Sequence, residues 1–427
     1  MKIGDIYKIY KQFPSIETDS RKLKKDDIFF ALKGPNFNGN NFAKQALESG
    51  AAYVVADEPL SLLSEKIIQV ENVLETLQQL AKYHREQFRI PFIAITGSNG
   101  KTTTKELLHE VLSTTFKTYT TERNLNNHIG IPLTILKIKP DAEIAVIEMG
   151  ANHLQEISGY CQYAKPTHGL ITNIGKAHLE GFGGEKNVKK GKGELFQYLK
   201  TYDGTVFVNT DDDAVYDLSK TINNAIFYGS KSKNSTGAII KNDPFIEVKI
   251  EDKKPFTIQT NLVGAYNLPN VLAAFCIGKY FKIEGEKIKS AIENYQPSNN
   301  RSQLIQKDTN TIILDAYNAN PGSMKAAIEN FAKMKGDKKI LLLGSMMELG
   351  TESEKEHADI VSLIDQNKWD AVVLVGKNFK EIKNNYIYFE NSLQARDWLK
   401  KENIKNAQIL IKGSRSMQME KVLDGLE

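Results

Sequence analysis

The sequence predicts an α/β protein of three domains: a small α/β domain, a central domain with a parallel sheet and a phosphate-binding loop, and a C-terminal Rossmann-like domain. The chain has 427 residues, more than one hydrophobic core usually supports. Short apolar segments typical of buried strands alternate with helical segments over most of its length. One such strand leads into a glycine-rich turn and then a helix, a context that suits phosphate groups.

The N-terminal segment predicts a small α/β domain. Apolar strands are expected at residues 27–32 and 51–56, with a helix between them at 42–49. Leucine and alanine side chains spaced along residues 73–88 indicate a second helix, and Pro91 follows it directly before the next strand. We therefore place the first domain at residues 1–86.

The central segment predicts a doubly wound parallel sheet. Its strands are expected at residues 92–96, 143–148, 170–173 and 205–209, with helices that include 103–114 and 194–199. Alternating stretches between residues 238 and 263 indicate instead a polar antiparallel appendage. A helix over 268–281 ends this region, and the domain is placed at residues 87–298.

The last segment repeats the alternation of strands and helices. Strands are expected at residues 311–315, 339–344, 371–376 and 409–413. This pattern predicts a Rossmann-like domain at residues 299–427.

Composition and charge exclude several classes of protein. The chain is 41% hydrophobic and 25% charged, which is typical of a folded globular protein. Its 56 basic and 52 acidic residues leave a formal net charge of +4, so a nucleic-acid partner is not expected. The lysines at 22–25 indicate a solvated face or a polybasic patch.

The cysteines and the N-terminus predict a cytoplasmic protein. Cys161 and Cys276 lack the spacing of a metal site, and two unpaired thiols fit a reducing compartment. Residues 1–10 lack the apolar run of a signal peptide, and no stretch reaches the ~18 apolar residues of a membrane span. We expect no membrane insertion and a monomeric protein.

The segment Gly97-Ser98-Asn99-Gly100-Lys101-Thr102-Thr103 predicts a nucleotide site. Its glycines let backbone N–H groups face phosphate oxygens, Lys101 supplies a cation, and Thr102 offers a hydroxyl to Mg²⁺. Ile95 stands where the longer form of this motif has glycine. The context favours ATP or GTP binding over a glycine-rich turn without nucleotide.

Glu148, His178 and Lys192 are candidates for a metal site, because they are expected at or after the carboxyl ends of strands. From the residues alone, Glu148 is a magnesium ligand or a salt-bridge partner, and His178 is a ligand or a structural histidine. Lys192 lies beside Lys189 and Lys190, any of which is by default a surface lysine.

Four motifs occur here in the order in which the Mur ligase family has them, and the chain resembles that family. They are GSNGKT at 97–102, EMGANH at 148–153, AHLEGF at 177–182 and KGELF at 192–196. The resemblance implies ATP as substrate, with Lys101, Glu148, His178 and Lys192 as catalytic residues. It also implies Mg²⁺ held by Thr102, Glu148, His178 and a carbamylated Lys192, whose carbamate a divalent cation stabilises.

The resemblance extends to further nucleotide contacts. It implies that ATP is bound by Gly97, Ser98, Asn99, Gly100, Lys101, Thr102, Thr103, Asn267, Asn270, Arg301 and Asp315. Asparagine suits an adenine edge, and the arginine fork suits phosphate. A helix cap is an equally good role for Asn270. Asn300 replaces the glycine that the family more often has before Arg301.

The segment DAYNANPGSM at 315–324 resembles the family member that adds D-alanyl-D-alanine. The resemblance implies an ATP-dependent ligase that joins D-alanyl-D-alanine to UDP-N-acetylmuramoyl-tripeptide through an acyl phosphate, for cell-wall peptidoglycan. It assigns substrate contacts to Ser20, Arg21, Asn127, Asn318 and Asn320 and makes residues 1–86 the UDP-substrate domain. Loops 344–350 and 412–417 are expected near the dipeptide.

Two rival interpretations share parts of this pattern. Another amino-acid-adding ligase, including a folylpolyglutamate-synthase-like enzyme, would have the same central motifs with another acceptor. A regulatory or scaffold protein would bind nucleotide through the same loop without ligation.

Overall fold

The computed structural model describes residues 1–59 and 64–426 and contains three α/β domains in chain order. Each domain has its own predominantly parallel sheet, so the predicted fold class is confirmed. The boundaries 1–86, 87–298 and 299–427 stay predictions. Among the described residues, no helix combines the length and apolar character that a bilayer span demands.

The first domain packs its helices against a four-stranded parallel sheet of order β1-β2-β5-β6. Its elements are α1 (Ile3–Gln12), β1 (Ile16–Glu17), β2 (Ile28–Phe30), β3 (Lys33–Gly34), β4 (Phe37–Asn38), α2 (Ala43–Glu48), β5 (Tyr53–Ala56), β6 (Ile67–Gln69) and α3 (Val73–Arg85). Helix α3 begins where the Asn72 side chain accepts from the Glu75 N–H. At its other end, Arg85 donates to the carbonyls of Ala164 and Lys165, which ties this domain to the central one.

The central domain is built on a nine-stranded sheet of order β15-β14-β13-β12-β11-β10-β7-β9-β8. Its first elements are β7 (Phe92–Thr96), α4 (Lys101–Ser113), β8 (Thr118–Thr120), α5 (Gly130–Leu136), β9 (Ile144–Glu148), α6 (Glu156–Ala164), β10 (His168–Ile171), α7 (Leu179–Phe182), α8 (Glu185–Thr201), β11 (Thr205–Asn209) and α9 (Asp213–Ser219). They are followed by β12 (Ala225–Gly229), β13 (Ser235–Asn242), β14 (Phe245–Glu251), β15 (Phe256–Val263), α10 (Leu268–Tyr280) and α11 (Gly285–Asn294).

The central strands bring the predicted motifs to one edge of the sheet. β7 lies between β9 and β10, and all three are parallel and fully apolar in their buried middle. The phosphate loop follows β7, and Glu148 is the last residue of β9. Since ligands of open α/β sheets collect at the carboxyl edge, this edge is the candidate site.

The expectation of a polar appendage between residues 238 and 263 was wrong. β13, β14 and β15 are antiparallel, but β13 pairs with β12, so the three strands extend the central sheet. Ile246, Val248 and Ile258 are fully buried in the same core as α10. The polar residues that alternate with them belong to the exposed face of an antiparallel sheet.

The C-terminal domain has a six-stranded sheet of order β16-β17-β21-β18-β19-β20, in which only β16 and β17 are antiparallel. Its elements are β16 (Gln303–Lys307), β17 (Asn310–Asp315), α12 (Pro321–Lys333), β18 (Lys339–Gly344), α13 (Ser353–Ile364), β19 (Ala371–Val375), α14 (Lys377–Lys380), β20 (Ile387–Phe389), α15 (Ser392–Glu402) and β21 (Gln408–Lys412). The Rossmann-like prediction is confirmed, and the carboxyl edge of this sheet supplies Asp315 and Lys412.

Candidate active site

A cavity of about 490 Å³ lies between the carboxyl edge of the central sheet and the C-terminal domain. The predicted site residues that line it are Ser98, Asn99, Gly100, Lys101, Thr102, Thr103, Asn127, Glu148, His178, Asn267, Asn270, Arg301, Asp315, Asn318 and Asn320. The lining does not include Ser20, Arg21, Gly97 or Lys192. The fold therefore joins the phosphate loop to segments more than two hundred residues away in the chain.

The phosphate loop is held in a conformation that only glycine adopts easily at two positions. Gly97 has φ +141° and Gly100 has φ +80°. A Cβ on Gly97 would lie 2.0 Å from Oγ1 of Thr172, and one on Gly100 would lie 2.6 Å from Oδ1 of Asn270. The loop backbone therefore approaches both neighbours more closely than any side chain permits.

Lys101 begins α4 and folds back over the loop. Its Nζ donates to the carbonyls of Gly97 at 2.7 Å and Ser98 at 3.1 Å. The pKa of Lys101 is lowered to about 8, mainly by burial; the Glu148 charge opposes this shift, and the Arg301 charge adds a smaller contribution to it. A cation at a helix N-terminus is a strong complement to phosphate oxygens.

Glu148 and Thr102 form the part of the site that fits a magnesium ion. Thr102 donates from Oγ1 to Oε1 of Glu148 at 3.2 Å, and Asn126 donates to the same oxygen at 2.8 Å. The second oxygen of Glu148 is buried without a hydrogen-bond partner. A buried carboxylate oxygen of this kind needs a partner, and Mg²⁺ takes hard oxygen ligands.

His178 lines the cavity, and its ring is hydrogen-bonded to a residue of the C-terminal domain. Its Nδ1 lies 2.5 Å from Oε2 of Glu348, and this hydrogen bond lowers the pKa of the Glu348 carboxyl. Within the described residues, no group of three His, Cys, Asp or Glu side chains converges on a metal-sized point. The structure thus places Glu148 and Thr102 together and leaves His178 hydrogen-bonded elsewhere.

Lys192 was expected at or after the carboxyl end of a strand, but the structure places it elsewhere. It lies inside α8, which begins at Glu185, well before the helix predicted at 194–199. The side chain is fully buried, and Nζ donates to the carbonyl of Ala151 at 2.7 Å. Burial holds the pKa of Lys192 well below its usual range, and the charge of Lys101 acts in the same direction. The neutral amine is therefore favoured.

Asn267 and Asn270 lie beside the phosphate loop and are hydrogen-bonded to each other. Nδ2 of Asn270 donates to Oδ1 of Asn267 at 2.8 Å, and Asn267 donates to the Val263 carbonyl. Thr104 of α4 donates to Oδ1 of Asn270 at 3.0 Å. Neither asparagine caps α10: Asn270 lies inside the helix, and the side chain of Asn267, the N-cap residue, makes no cap hydrogen bond. Both remain candidates for nucleotide contacts.

Arg301 enters the cavity from the start of the C-terminal domain. Its guanidinium carbon lies 3.6 Å from the centroid of the Tyr317 ring, and its buried Nε has no hydrogen-bond partner. Asp315 accepts from Nζ of Lys412 at 2.5 Å and from the backbone N–H of Ser302 at 3.3 Å. The stacked arginine presents free donors to an anion.

Two predicted substrate residues are not part of the cavity lining. Ser20 and Arg21 belong to the first domain, and the exposed Arg21 forms a fork with Asp19 at 2.8 and 2.9 Å. Asn127 lines the cavity, but its side chain accepts from the backbone of Ile129 and Gly130 at the start of α5.

Several residues of the site were not selected from the sequence. Asn126, rather than its neighbour Asn127, contacts Glu148, and Asn173 accepts from the backbone N–H of Asn99 at 2.9 Å. Tyr317 and Glu348 also line the cavity. The motif at 315–324 contained Tyr317, but no local pattern says which neighbour receives a guanidinium.

Comparisons with known proteins cover almost the whole chain. Residues 12–85 match the sequence model described as Mur ligase family, catalytic domain, residues 95–278 match the Mur ligase middle domain, and residues 300–415 match Mur ligase, glutamate ligase domain. The UDP-N-acetylmuramoyl-tripeptide--D-alanyl-D-alanine ligase of Bacillus subtilis is 35% identical, with 96% of this chain and 92% of that protein covered. The Escherichia coli protein of the same name is 34% identical, with 97% and 93% covered.

Solved structures agree with the sequence comparisons. A crystal structure of MurF from Acinetobacter baumannii has a TM-score of 0.87 at 30% identity, with 96% of this chain and 93% of that chain covered. MurF ligase from Thermotoga maritima in complex with ADP has a TM-score of 0.87 at 26% identity, with 96% of each chain covered.

Proposed function

The chain belongs to the Mur ligase family, and from that premise we propose that it is the ATP-dependent ligase that joins D-alanyl-D-alanine to UDP-N-acetylmuramoyl-tripeptide. The product is the UDP-linked pentapeptide precursor of peptidoglycan. One observation carries the proposal: the phosphate loop and segment 315–324 of the C-terminal domain line a single cavity. This arrangement allows ATP, which donates the phosphoryl group, and the dipeptide amine, which accepts the acyl group, to bind in the same cavity.

The first step activates the tripeptide. An oxygen of its terminal carboxylate attacks the γ-phosphorus of ATP, the bond from that phosphorus to the β,γ-bridging oxygen breaks, and ADP leaves with the bonding electrons. Lys101, the loop N–H groups and the N-terminus of α4 stabilise the charge on the transferring phosphoryl group. Arg301 adds a second cation from the opposite wall.

The second step forms the amide. The free amine of D-alanyl-D-alanine attacks the acyl-phosphate carbonyl, and a tetrahedral intermediate forms. The intermediate transfers a proton from nitrogen to the departing phosphate, and the inorganic phosphate that leaves carries the former carboxylate oxygen. Asn318 and Asn320 lie in the cavity wall and are proposed to position the dipeptide.

Thr102 and Glu148 are proposed to hold Mg²⁺, because the unpaired oxygen of Glu148 and the Thr102 hydroxyl are hard ligands that line the cavity together with the phosphate loop. When bound, the ion would offset the charge that a carboxylate and a triphosphate bring together. His178 would join this shell through Nε2, because its bond to Glu348 uses only Nδ1.

We also propose that Lys192 is carbamylated. Its buried, neutral-favoured amine would add to carbon dioxide and lose a proton, which gives a carbamate anion. That change would place an anion near Lys101, and a nearby divalent cation would stabilise it.

Domain closure is proposed to protect the acyl phosphate from water. Glu348, Asn320 and Arg301 already contact or face central-domain residues across the cavity. Closing a site of this kind excludes water and completes the set of catalytic groups. Residues 1–86, with Ser20 and Arg21, are proposed to hold the UDP end of the substrate. The protein is proposed to act as a monomer in the cytoplasm.

A panel of acceptors tests the proposal against its rivals. Phosphate release is measured with ATP and either UDP-N-acetylmuramoyl-tripeptide or a folate, and with D-alanyl-D-alanine, D-alanine or L-glutamate as amine. The proposed function predicts turnover only for the UDP-tripeptide with the dipeptide. Turnover with folate and glutamate would establish the rival ligase, and nucleotide binding without turnover would indicate a regulatory protein.

A further inference from the structure

Lys412 is a fully buried lysine directly behind the wall of the cavity. It is the last residue of β21, pairs in register with Asp315 of β17, and is only 1% exposed. Its Nζ donates to Oδ2 of Asp315 at 2.5 Å and to the carbonyl of Asn318 at 3.3 Å. Asp315 and Asn318 line the cavity, whereas Lys412 does not.

The pair has an electrostatic consequence for an anionic substrate. A carboxylate in the wall of a triphosphate site repels the substrate, and the repulsion is strong where water is excluded. The ammonium of Lys412 cancels that charge from the protein side. In return, Asp315 supplies the partner without which a buried ammonium is very costly.

The pair also has a geometric consequence. The other oxygen of Asp315 accepts from the backbone N–H of Ser302, the residue after Arg301. Lys412 therefore orients the Asp315 carboxylate, and this carboxylate in turn holds the backbone next to Arg301. Through the Asn318 carbonyl it holds the segment that leads to Asn320 as well.

We infer that Lys412 is a positioning residue for the nucleotide: it orients Asp315 and neutralises its charge, so that Arg301 and the segment after Asp315 face the phosphates correctly. This inference rests on the proposed ligase function. Lys412 itself does not line the cavity and is inferred to act through Asp315.

The test is a cycle of four proteins, wild type, K412M, D315N and K412M/D315N, with K339M as matched control. Lys339 begins the neighbouring strand β18, and its Nζ donates to the Ala332 carbonyl outside the cavity wall. KM for ATP, kcat, the dissociation constant of ADP and urea unfolding are measured for each.

K412M is expected to raise KM for ATP and the ADP dissociation constant about tenfold or more, because the Asp315 charge then faces the phosphates alone. In the D315N background the same substitution is expected to change both by less than about threefold, because residue 315 then carries no charge for Lys412 to neutralise. K339M is expected to bind ADP like the wild type.

Equal effects of K412M in both backgrounds, or a loss of stability with unchanged ADP affinity, would overturn the inference. If K412M does not fold, the wild type is compared with K412M/D315N, since neither protein contains an unpaired charge at these two positions; an ADP dissociation constant within about threefold of the wild type is expected, and a rise of about tenfold or more would overturn the inference. A wild-type protein that binds ADP but forms no product would contradict the ligase function; the ADP affinities of the same cycle would still decide the role of Lys412.

Discussion

The side chain of Asn320 donates a hydrogen bond of 2.7 Å to Oδ1 of Asn99, and this contact joins the C-terminal domain to the phosphate loop. Asn320 is at the same time the N-cap of α12, where its Oδ1 accepts from the Ser323 N–H. One residue thus links the start of a helix to the loop that receives the triphosphate. Removing the loop contact without removing the cap separates the two roles.

Asn320→Ser is expected to weaken turnover without loss of stability. Serine caps helices well, but its short side chain does not reach Asn99. KM for ATP should rise several-fold, while the free energy of unfolding in urea should stay within about 0.5 kcal/mol of the wild type. Asn320→Ala is the control that also loses the cap and about 1 kcal/mol. Unchanged kinetics in both variants would remove Asn320 from the site.

Glu148→Gln is expected to abolish most magnesium-dependent activity. The substitution removes the charge of a buried carboxylate whose free oxygen is the best metal ligand in the described site. Turnover should fall about 100-fold or more, and added Mg²⁺ should no longer strengthen ADP binding. Glu143→Gln, just before the other end of β9, is the matched control. Chelation by EDTA should abolish wild-type turnover and Mg²⁺ should restore it.

The ion pair between Lys176 and Glu356 should stabilise the closed arrangement. Lys176 of the central domain contacts Glu356 of α13 at 2.5 Å, and the Glu356 side chain is only 4% exposed. Breaking the pair leaves a shielded carboxylate without its cation, so Lys176→Met should favour opening. A double-mutant cycle with Glu356→Gln, measured as the free energy of unfolding in urea, should give a coupling energy of about 1 kcal/mol or more between the two residues.

Small-angle scattering with bound ADP measures that opening directly. A larger radius of gyration for Lys176→Met than for the wild type is expected. The exposed pair of Lys189 and Asp217, which lies within the central domain, is the control and should have no effect. Identical radii for all proteins would show that the pair does not hold the domains.

Acid should destabilise the protein partly through His168. Burial lowers the pKa of His168 to about 4, and the unfolded side chain titrates near 6.5, so the folded state binds fewer protons between these values. Stability from this group is complete above about pH 6.5 and declines as pH falls toward 4. His168→Phe, in a cluster with Phe207 and Tyr280, should reduce the loss of unfolding free energy between pH 7 and pH 5 by about 2 kcal/mol. An unchanged pH profile of urea unfolding would contradict this assignment.

The central motifs could be predicted from sequence because local patterns determine them. A buried strand followed by glycines and a helix permits few arrangements, so the phosphate loop and Glu148 fall where the strand pattern placed them. The segment 238–263 was misread because alternation alone does not say which sheet a strand joins. That choice depends on the apolar face of α10.

Contacts between distant segments were beyond the sequence. Nothing local to His178 shows that its ring bonds to Glu348, and nothing local to Lys412 shows that it neutralises Asp315. These pairs arise from strand order and domain packing. Lys192 shows the same limit, since glycines at 191 and 193 hid a helix that runs through both.

Oxygen tracing tests the acyl-phosphate ligation most directly. UDP-N-acetylmuramoyl-tripeptide labelled with ¹⁸O in its terminal carboxylate is incubated with ATP, Mg²⁺ and D-alanyl-D-alanine, and both products are weighed by mass spectrometry. Ligation through an acyl phosphate predicts inorganic phosphate with one ¹⁸O atom and a pentapeptide that retains the other, with neither formed when any substrate is omitted. Unlabelled phosphate, or phosphate released without pentapeptide, would contradict it.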